Sequence, residues 1–205
     1  MARKNPKETA YESVYRRLLA QTKLRSALCV GLTSAGPGEG VTSMTAGLAM
    51  AAAAHGNGRV LVCDVGQGEQ RLAGLLGAKM VTITSLPPEG DLRVALAATD
   101  GLDVLSIAPD LASAANEERW AHVMSVLRER YNTIIFDLGD LGTSMPALWQ
   151  DRLDELLLVV DSNHTTYESL ARLRKELERT GISLSGFALN KRRFYVPALI
   201  YRFIY

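Results

Sequence analysis

A three-layer α/β fold, with a mostly parallel sheet and helices on both faces, is predicted from three features of the sequence. Apolar, strand-like runs alternate with helical segments along the 205 residues. A glycine-rich turn, residues 33–43, joins the first of these runs to an alanine-rich helix. Two later runs end in Asp64 and Asp137, and parallel sheets bind their ligands at the carboxyl ends of strands.

The elements can be assigned in order from periodicity and from helix-end signals. Tyr11, Val14 and Leu18 share one face of a leading helix that extends to about Lys23. Residues 165–168 form a capping box that opens the last helix, which Gly181 ends. Strands are predicted over residues 27–32, 60–64, 102–107, 133–137, 156–160 and 184–190, and further helices over 41–54, 71–76 and 116–130. Residues 66–90 are otherwise predicted to be irregular.

Composition and charge exclude several classes of protein. The net charge is +1, so no overall field favours nucleic acid as a partner. The sequence has neither a signal-peptide pattern nor an apolar run long enough to span a bilayer, which predicts a soluble, cytoplasmic protein. Cys29 and Cys63 lie in apolar runs and are interpreted as small buried hydrophobes of a reducing compartment.

The glycine-rich turn has the features of a phosphate-binding loop. Backbone N–H groups in such a turn surround an anion, and the following helix adds its positive dipole. These loops normally end in Gly-Lys-Ser/Thr, in which the lysine reaches the β- and γ-phosphates and the hydroxyl holds magnesium. Here Val41 takes the place of the lysine. The predicted cradle consists of Gly36, Pro37, Gly38, Glu39, Gly40, Val41, Thr42 and Ser43.

Loss of the lysine is expected to impair catalysis more than binding. A lysine in contact with phosphate contributes about 1–4 kcal/mol, so its absence weakens nucleotide binding by about one to three decades. The lysine also stabilises the charge that develops on the transferred phosphoryl group. We therefore expect weakened ATP or ADP binding and little turnover. The alternative is a strand-to-helix turn that binds no ligand.

Asp64 and Asp137 are the candidate carboxylates of this site. Each follows an apolar run and is expected at the same edge of the sheet as the glycine turn. With the hydroxyl of Thr42, they form a predicted magnesium site of oxygen ligands, and Asp64 is the candidate catalytic residue. Aspartates at strand ends are also common turn residues, which is the alternative interpretation of each.

The run from Gly31 to Gly40 resembles the phosphate loop of the bacterial tyrosine kinases (BY-kinases). These P-loop ATPases are cytoplasmic partners of polysaccharide co-polymerases in capsule and exopolysaccharide synthesis, and they are related to septum-site and chromosome-partitioning ATPases. The resemblance covers nearly the whole chain and implies a P-loop NTPase fold over residues 26–193, after an N-terminal helix at 1–25. It also implies that Asn190 contacts the adenine base. Tyr195, Tyr201 and Tyr205 of the basic, aromatic tail, 194–205, correspond to the family's phosphoacceptor cluster.

The chain also departs from this family at three sites. The phosphate clamp lacks its lysine, and the N-terminal helix lacks the family's Glu-x-x-Arg-x-x-Arg pattern, by which subunits pack into a ring. The metal site lacks the second aspartate of the family's Asp-x-Asp motif, whose place is taken by Gly66. Gly68 and Glu69 replace two basic residues of the family, and Gly139-Asp140 replaces a Pro-Pro pair. In the N-terminal helix Arg16 matches the first arginine of the motif, but Ser13 and Leu19 occupy the places of its glutamate and its second arginine. This pattern favours a pseudokinase, a regulatory or scaffolding subunit.

Two other functions stay open. The chain is an active tyrosine autokinase or ATPase if another basic group, such as Arg59, Arg71 or one from a neighbouring subunit, replaces the lysine. It is, with less support, a positioning ATPase of the partitioning type. The resemblance implies a membrane-embedded co-polymerase or export protein as partner, peripheral attachment to the inner membrane through it, and a possible homo-oligomer. The tail is interpreted either as a phosphoacceptor or docking segment or as a helix that closes the core.

Overall fold

The computed structural model describes residues 6–21, 27–65, 71–78, 82–83, 95–96, 101–107, 117–143 and 149–191. Within these residues the chain forms one sheet of eight strands in the order β3-β5-β2-β6-β1-β7-β8, with β4 pairing antiparallel to β5. All other strand pairs are parallel. The predicted mostly parallel α/β sheet is therefore confirmed.

The strands are β1 (Leu28–Ser34), β2 (Val60–Asp64), β3 (Thr82–Ile83), β4 (Ala95–Leu96), β5 (Leu102–Ile107), β6 (Thr133–Asp140), β7 (Glu155–Asp161) and β8 (Gly186–Asn190). The helices are α1 (Pro6–Gln21), α2 (Val41–His55), α3 (Arg71–Leu76), α4 (Glu117–Arg130) and α5 (Tyr167–Thr180). Short 3-10 turns lie at Leu141–Thr143 and Gln150–Arg152. No helix in these ranges is both long and apolar enough to span a membrane.

The predicted elements are present, and three of their details were wrong. Strand β6 continues to Asp140, because its end pairs with Ser34 beyond an irregularity in β1, so Asp137 does not end the strand. The cap of α5 is Thr166, whose side chain accepts a hydrogen bond from Ser169 N, one residue later than predicted. Strands β3 and β4 were not predicted, since two residues are too few to show periodicity.

Alternation along the strands divides the core between the two faces of the sheet. On one face, α1, α2 and α3 pack against residues such as Leu28, Val30 and Val62. The opposite face contacts α4 through the apolar side chains of Trp120, Val123, Met124 and Leu127. Helix α5 packs on Leu158 and Val160 through a smaller cluster that includes Leu173. The central strands are thus buried on both sides, as in other parallel sheets.

Gly31 lets strand β1 pass beneath the leucines that cover it. A Cβ atom at this position would collide with the side chains of Leu138 and Leu153 and crowd Leu156. Strand β1 thus packs closely in the centre of the sheet between β6 and β7, and its carboxyl end leads into the glycine loop.

We expect both cysteine thiols to be inert in the folded protein. Cys29 and Cys63 are completely buried in β1 and β2. Burial raises the pKa of Cys29 to about 12 and that of Cys63 well above its ordinary value. The nucleophilic thiolate is therefore scarce at neutral pH. Mass spectrometry after iodoacetamide treatment at pH 8 should find neither residue labelled until denaturant is added. Labelling of the native protein at the rate of a free thiol would contradict the burial of these two cysteines.

Candidate functional site

The glycine loop connects the carboxyl end of β1 to the first turn of α2. Gly38 and Gly40 have φ angles of 80° and 96°, in the left-handed region that glycine adopts without strain. Gly40 is the N-cap of α2, and its carbonyl accepts the first helical hydrogen bond from Met44 N at 3.0 Å. The N–H groups of the first helical turn have no partners within the helix and are available to an anion. The backbone of the loop thus has the conformation expected of the predicted cradle, and phosphate binding by it stays a prediction.

A cavity of about 490 Å³ lies over this loop. The volume is in the range typical of small-molecule sites. Most of the predicted cradle lines the cavity, while Gly36 accepts a hydrogen bond from Ser34 Oγ at 2.8 Å on the approach to the loop. The other walls come from α3, the end of β6 and the residue after β8, namely Arg71, Leu75, Gly139, Asp140 and Lys191.

Val41 contributes its backbone to the cavity and its side chain to the core. The residue is 7 % exposed and belongs to the hydrophobic cluster between the sheet and α1–α3. A charged side chain is thus absent at the point where a P-loop lysine would reach the phosphates. The anion-binding properties of this loop depend on backbone N–H groups and on residues outside it.

Asp137 lies next to both of the other predicted metal ligands, Asp64 and Thr42. Asp64 and Asp137 are register partners on adjacent strands, and both are buried. Thr42 hydrogen-bonds to the Asp137 side chain, which also accepts a hydrogen bond from Gly139 N at 3.2 Å. Burial raises the pKa of Asp137, and these two hydrogen bonds oppose that rise. Two carboxylates and a hydroxyl suit magnesium, which completes its shell with water and phosphate oxygens.

No group of three or more His, Cys, Asp or Glu side chains able to hold a metal is found among the residues described. Asp64 and Asp137 are the two carboxylates of the candidate metal site. Its two carboxylates fit a magnesium ion that arrives with a nucleotide, in the manner of other phosphate-binding sites. Asp64, the candidate catalytic residue, is the register partner of Asp137 and is not among the residues that line the cavity over the loop.

Lys191 and Asp161 hold the glycine loop from outside. Lys191 Nζ donates hydrogen bonds to Gly38 O at 2.6 Å and to Asp161 Oδ2 at 2.8 Å. Asp161 N donates to Glu39 Oε2 at 3.3 Å, and Asn190 Nδ2 donates to Glu39 O at 2.9 Å. We call this set of contacts the bracket. It joins the ends of β7 and β8 to the two residues before Gly40.

The bracket depends on an unusual backbone conformation, on a close approach at Gly40 and on an ionised Asp161. Lys191 has a φ of 54°, a left-handed conformation that costs a non-glycine residue about 1–2 kcal/mol. A Cβ atom at Gly40 would collide with Asn190 Nδ2, so glycine is needed there for the asparagine to approach. Hydrogen bonds from Lys191, Asn163 N and His164 lower the pKa of Asp161 below its usual range. Asp161 is therefore a buried anion at neutral pH.

The structure shows where several other residues named from the sequence lie, while the contact of Asn190 with an adenine base stays a prediction. Asn190 touches the loop, and its amide is engaged by Glu39 O and Lys191 N. Arg59 was wrong as a replacement for the lysine, because it lies before β2 and pairs with Asp103 Oδ2 at 2.7 Å beside Tyr131. That pair lies at the amino ends of β2 and β5, whereas the glycine loop follows the carboxyl end of β1. Gly66, Gly68, Glu69 and the three tail tyrosines, Tyr195, Tyr201 and Tyr205, lie outside the described residues.

Asp161 and Lys191 were missed by the sequence interpretation. Asp161 follows an apolar run just as Asp64 does, so the same signal was available for it. Lys191 stands beside Arg192 and Arg193 in the sequence, and nothing local distinguishes it from them. Its role depends on the end of β8 lying beside the glycine loop, 153 residues away along the chain from Gly38. No local pattern encodes that proximity.

We expect Lys191→Met to destabilise the protein by about 1–3 kcal/mol, because it leaves the buried Asp161 carboxylate without its cationic partner. Urea unfolding measures the change. Lys175→Met, on the exposed side of α5, is the matched control. The double variant Lys191→Met/Asp161→Asn removes the buried charge and should recover part of the loss. Equal unfolding midpoints for Lys191→Met and Lys175→Met would contradict the bracket.

The bracket should also have a defined pH dependence. The pKa of Asp161 is lowered in the folded state, so its stabilising contribution is complete above the ordinary aspartate pKa of about 3.9. This contribution is lost as the pH falls below that value. The stability difference between unmodified protein and Lys191→Met should be constant between about pH 5 and 7 and should shrink below about pH 4. A difference that grows on acidification would contradict the assignment.

Comparison with known proteins confirms the resemblance seen in the motifs. No family model matches the chain. The tyrosine-protein kinase CpsD of Streptococcus pneumoniae serotype 4 is 25% identical over 174 residues, which cover 79% of this chain and 75% of that protein. The VpsO kinase domain is 25% identical, with a TM-score of 0.69 over 91% of this chain and 96% of that domain. The chimerical protein CapA2B2 has a TM-score of 0.74 at 20% identity, over 93% and 87% of the two chains.

Proposed function

The chain resembles the bacterial tyrosine kinases in its motifs, its sequence and its fold, and on this basis we propose that it is a nucleotide-binding pseudokinase. The observation that carries the proposal is a preformed glycine loop whose lysine position is occupied by a buried valine. Backbone N–H groups suffice to hold phosphate oxygens, whereas transfer needs added charge at the γ-phosphate. Such a protein binds ATP or ADP and changes state with the nucleotide without transferring phosphate.

The proposed nucleotide site uses the residues described above. The loop and the first turn of α2 hold the α- and β-phosphates, and Thr42, Asp64 and Asp137 hold magnesium. Magnesium supplies charge neutralisation to the phosphates when it is bound. Affinity for the ATP or ADP complex is lower than in a P-loop with lysine, by about one to three decades.

The proposed setting is capsule or exopolysaccharide production, as in the family that the chain resembles. The partner is a membrane-embedded polysaccharide co-polymerase or export protein, through which the chain is held at the cytoplasmic face of the inner membrane. Nucleic acid is not a proposed partner, since the net charge is +1. The chain also associates with further copies of itself, and nucleotide binding at the loop changes the strength of that association.

A second candidate is an active tyrosine autokinase, and one observation favours it. Arg71 lines the cavity over the glycine loop and carries a permanent positive charge. An arginine in this place supports phosphate binding in either function. Transfer further requires a complete metal site and a phosphoacceptor, so autophosphorylation distinguishes the two functions.

We expect the purified protein to show little autophosphorylation with ATP and magnesium. Val41 provides no charge to stabilise the transferred phosphoryl group. Phosphotyrosine is measured by mass spectrometry of the intact protein and its peptides, with Asp137→Asn as the control for background incorporation. Robust tyrosine phosphorylation that Asp137→Asn abolishes would refute the pseudokinase proposal and support the autokinase.

Val41→Lys should tighten ADP binding by up to about a hundredfold, equivalent to about 2.7 kcal/mol. The new ammonium group replaces a buried valine, so a loss of packing accompanies the gain of charge. Val41→Met is the matched control, because it changes the shape of the side chain without adding charge. Calorimetric titration with ADP and magnesium measures both affinities. If Val41→Lys binds no tighter than Val41→Met, the site is not a phosphate site of this kind.

A further inference from the structure

We propose that Arg71 supplies to the nucleotide phosphates the positive charge that residue 41 does not. The inference rests on the proposed function, since it assigns a role within the same nucleotide site. It places the phosphate cation on α3, across the cavity from the glycine loop. In the usual P-loop a lysine of the loop provides this charge, and in this chain an arginine of α3 provides it instead.

The geometry of α3 directs Arg71 to the cavity. Leu72, Ala73 and Leu76 are buried against the cluster that contains α2, which fixes the helix on the sheet. Arg71 and Leu75 are four residues apart and therefore share one face of the helix. Both line the cavity, and both are exposed. The solvent-facing side of α3 is thus the side that faces the glycine loop.

Arg71 brings positive charge to a cavity wall that also carries acidic side chains. Among the described residues that line the cavity, Arg71 and Lys191 are the cationic ones, and Glu39 and Asp140 are acidic. Lys191 is committed to Gly38 O and to the buried Asp161 carboxylate. Its charge is therefore partly compensated by that carboxylate. Without Arg71 the wall would carry net negative charge and would repel a nucleotide.

Arginine also suits the task chemically. Its guanidinium group is planar, remains charged at all physiological pH values and can donate two parallel hydrogen bonds to phosphate oxygens. Its long side chain allows α3 to act from a position outside the loop. The ligand class is a nucleoside di- or triphosphate, and the charge of its terminal phosphates is the feature that Arg71 recognises.

The first test is titration of the unmodified protein and of Arg71→Met with ADP and magnesium at low and high salt. Removal of the cation should weaken binding by about ten- to a hundredfold at low salt, and the difference should shrink as salt screens the charge. Arg172→Met, an exposed arginine of α5 away from the cavity, is the matched control and should bind as the unmodified protein does. Arg71→Lys keeps the charge and should retain part of the affinity.

The second test is a double-mutant cycle with Val41→Lys. If the two side chains serve the same phosphates, Arg71→Met should cost at least severalfold less affinity in the Val41→Lys background than in the unmodified chain. Strict additivity of the two changes would overturn the inference, because residues that share no ligand group do not couple. Thermal melting of all variants without ligand checks that each is folded.

The outcomes separate the inference from the proposed function. Failure of both the unmodified protein and Val41→Lys to bind ADP with magnesium would refute the nucleotide site itself, and the inference with it. Binding that Arg71→Met and Arg172→Met leave equally unchanged would overturn the inference alone. Weakened binding in Arg71→Met, relieved by Val41→Lys, supports both.

Discussion

The contact between Lys191 and Gly38 O is the interaction on which the candidate site most depends. In the usual P-loop, a lysine within the loop itself provides the positive charge that contacts the phosphates. Here the stabilising ammonium group comes from the residue after β8 and is anchored by the buried Asp161 carboxylate. These contacts hold the backbone of the loop at Gly38 and Glu39, the two residues before Gly40. The sheet order, which places β7 and β8 next to β1, is what makes those contacts possible.

This arrangement separates the shape of a phosphate site from its charge. The left-handed glycines and the start of α2 provide the shape, while Val41 contributes only packing. Positive charge at the cavity comes from residues outside the loop, namely Arg71 of α3 and Lys191. A site of this kind is suited to binding a nucleotide and responding to it, because binding needs both properties whereas transfer also needs precise charge at the γ-phosphate. Asp64 and Asp137, the candidate metal ligands, are register partners on adjacent strands.

The sequence predicted the fold well because its signals are local. Hydrophobic periodicity located the long strands and helices, and Gly181 ended α5 as expected, with a φ of 69°. Strands β3 and β4 escaped detection because they have two residues each and are defined by their pairing with β5. The site was predicted in part. The backbone cradle and the two aspartates follow from motif and strand order, whereas Lys191 depends on contacts between residues far apart in the chain.

A crystal structure of the protein with ADP and magnesium would test most directly whether the loop is preformed for phosphate. The account predicts the β-phosphate against the backbone N–H groups of residues 38–42, with Gly38 and Gly40 still at positive φ and Lys191 still bonded to Gly38 O. Arg71 should then contact the phosphate oxygens. A nucleotide bound elsewhere, or a loop that must release Lys191 and change its backbone conformation to admit the phosphates, would contradict it.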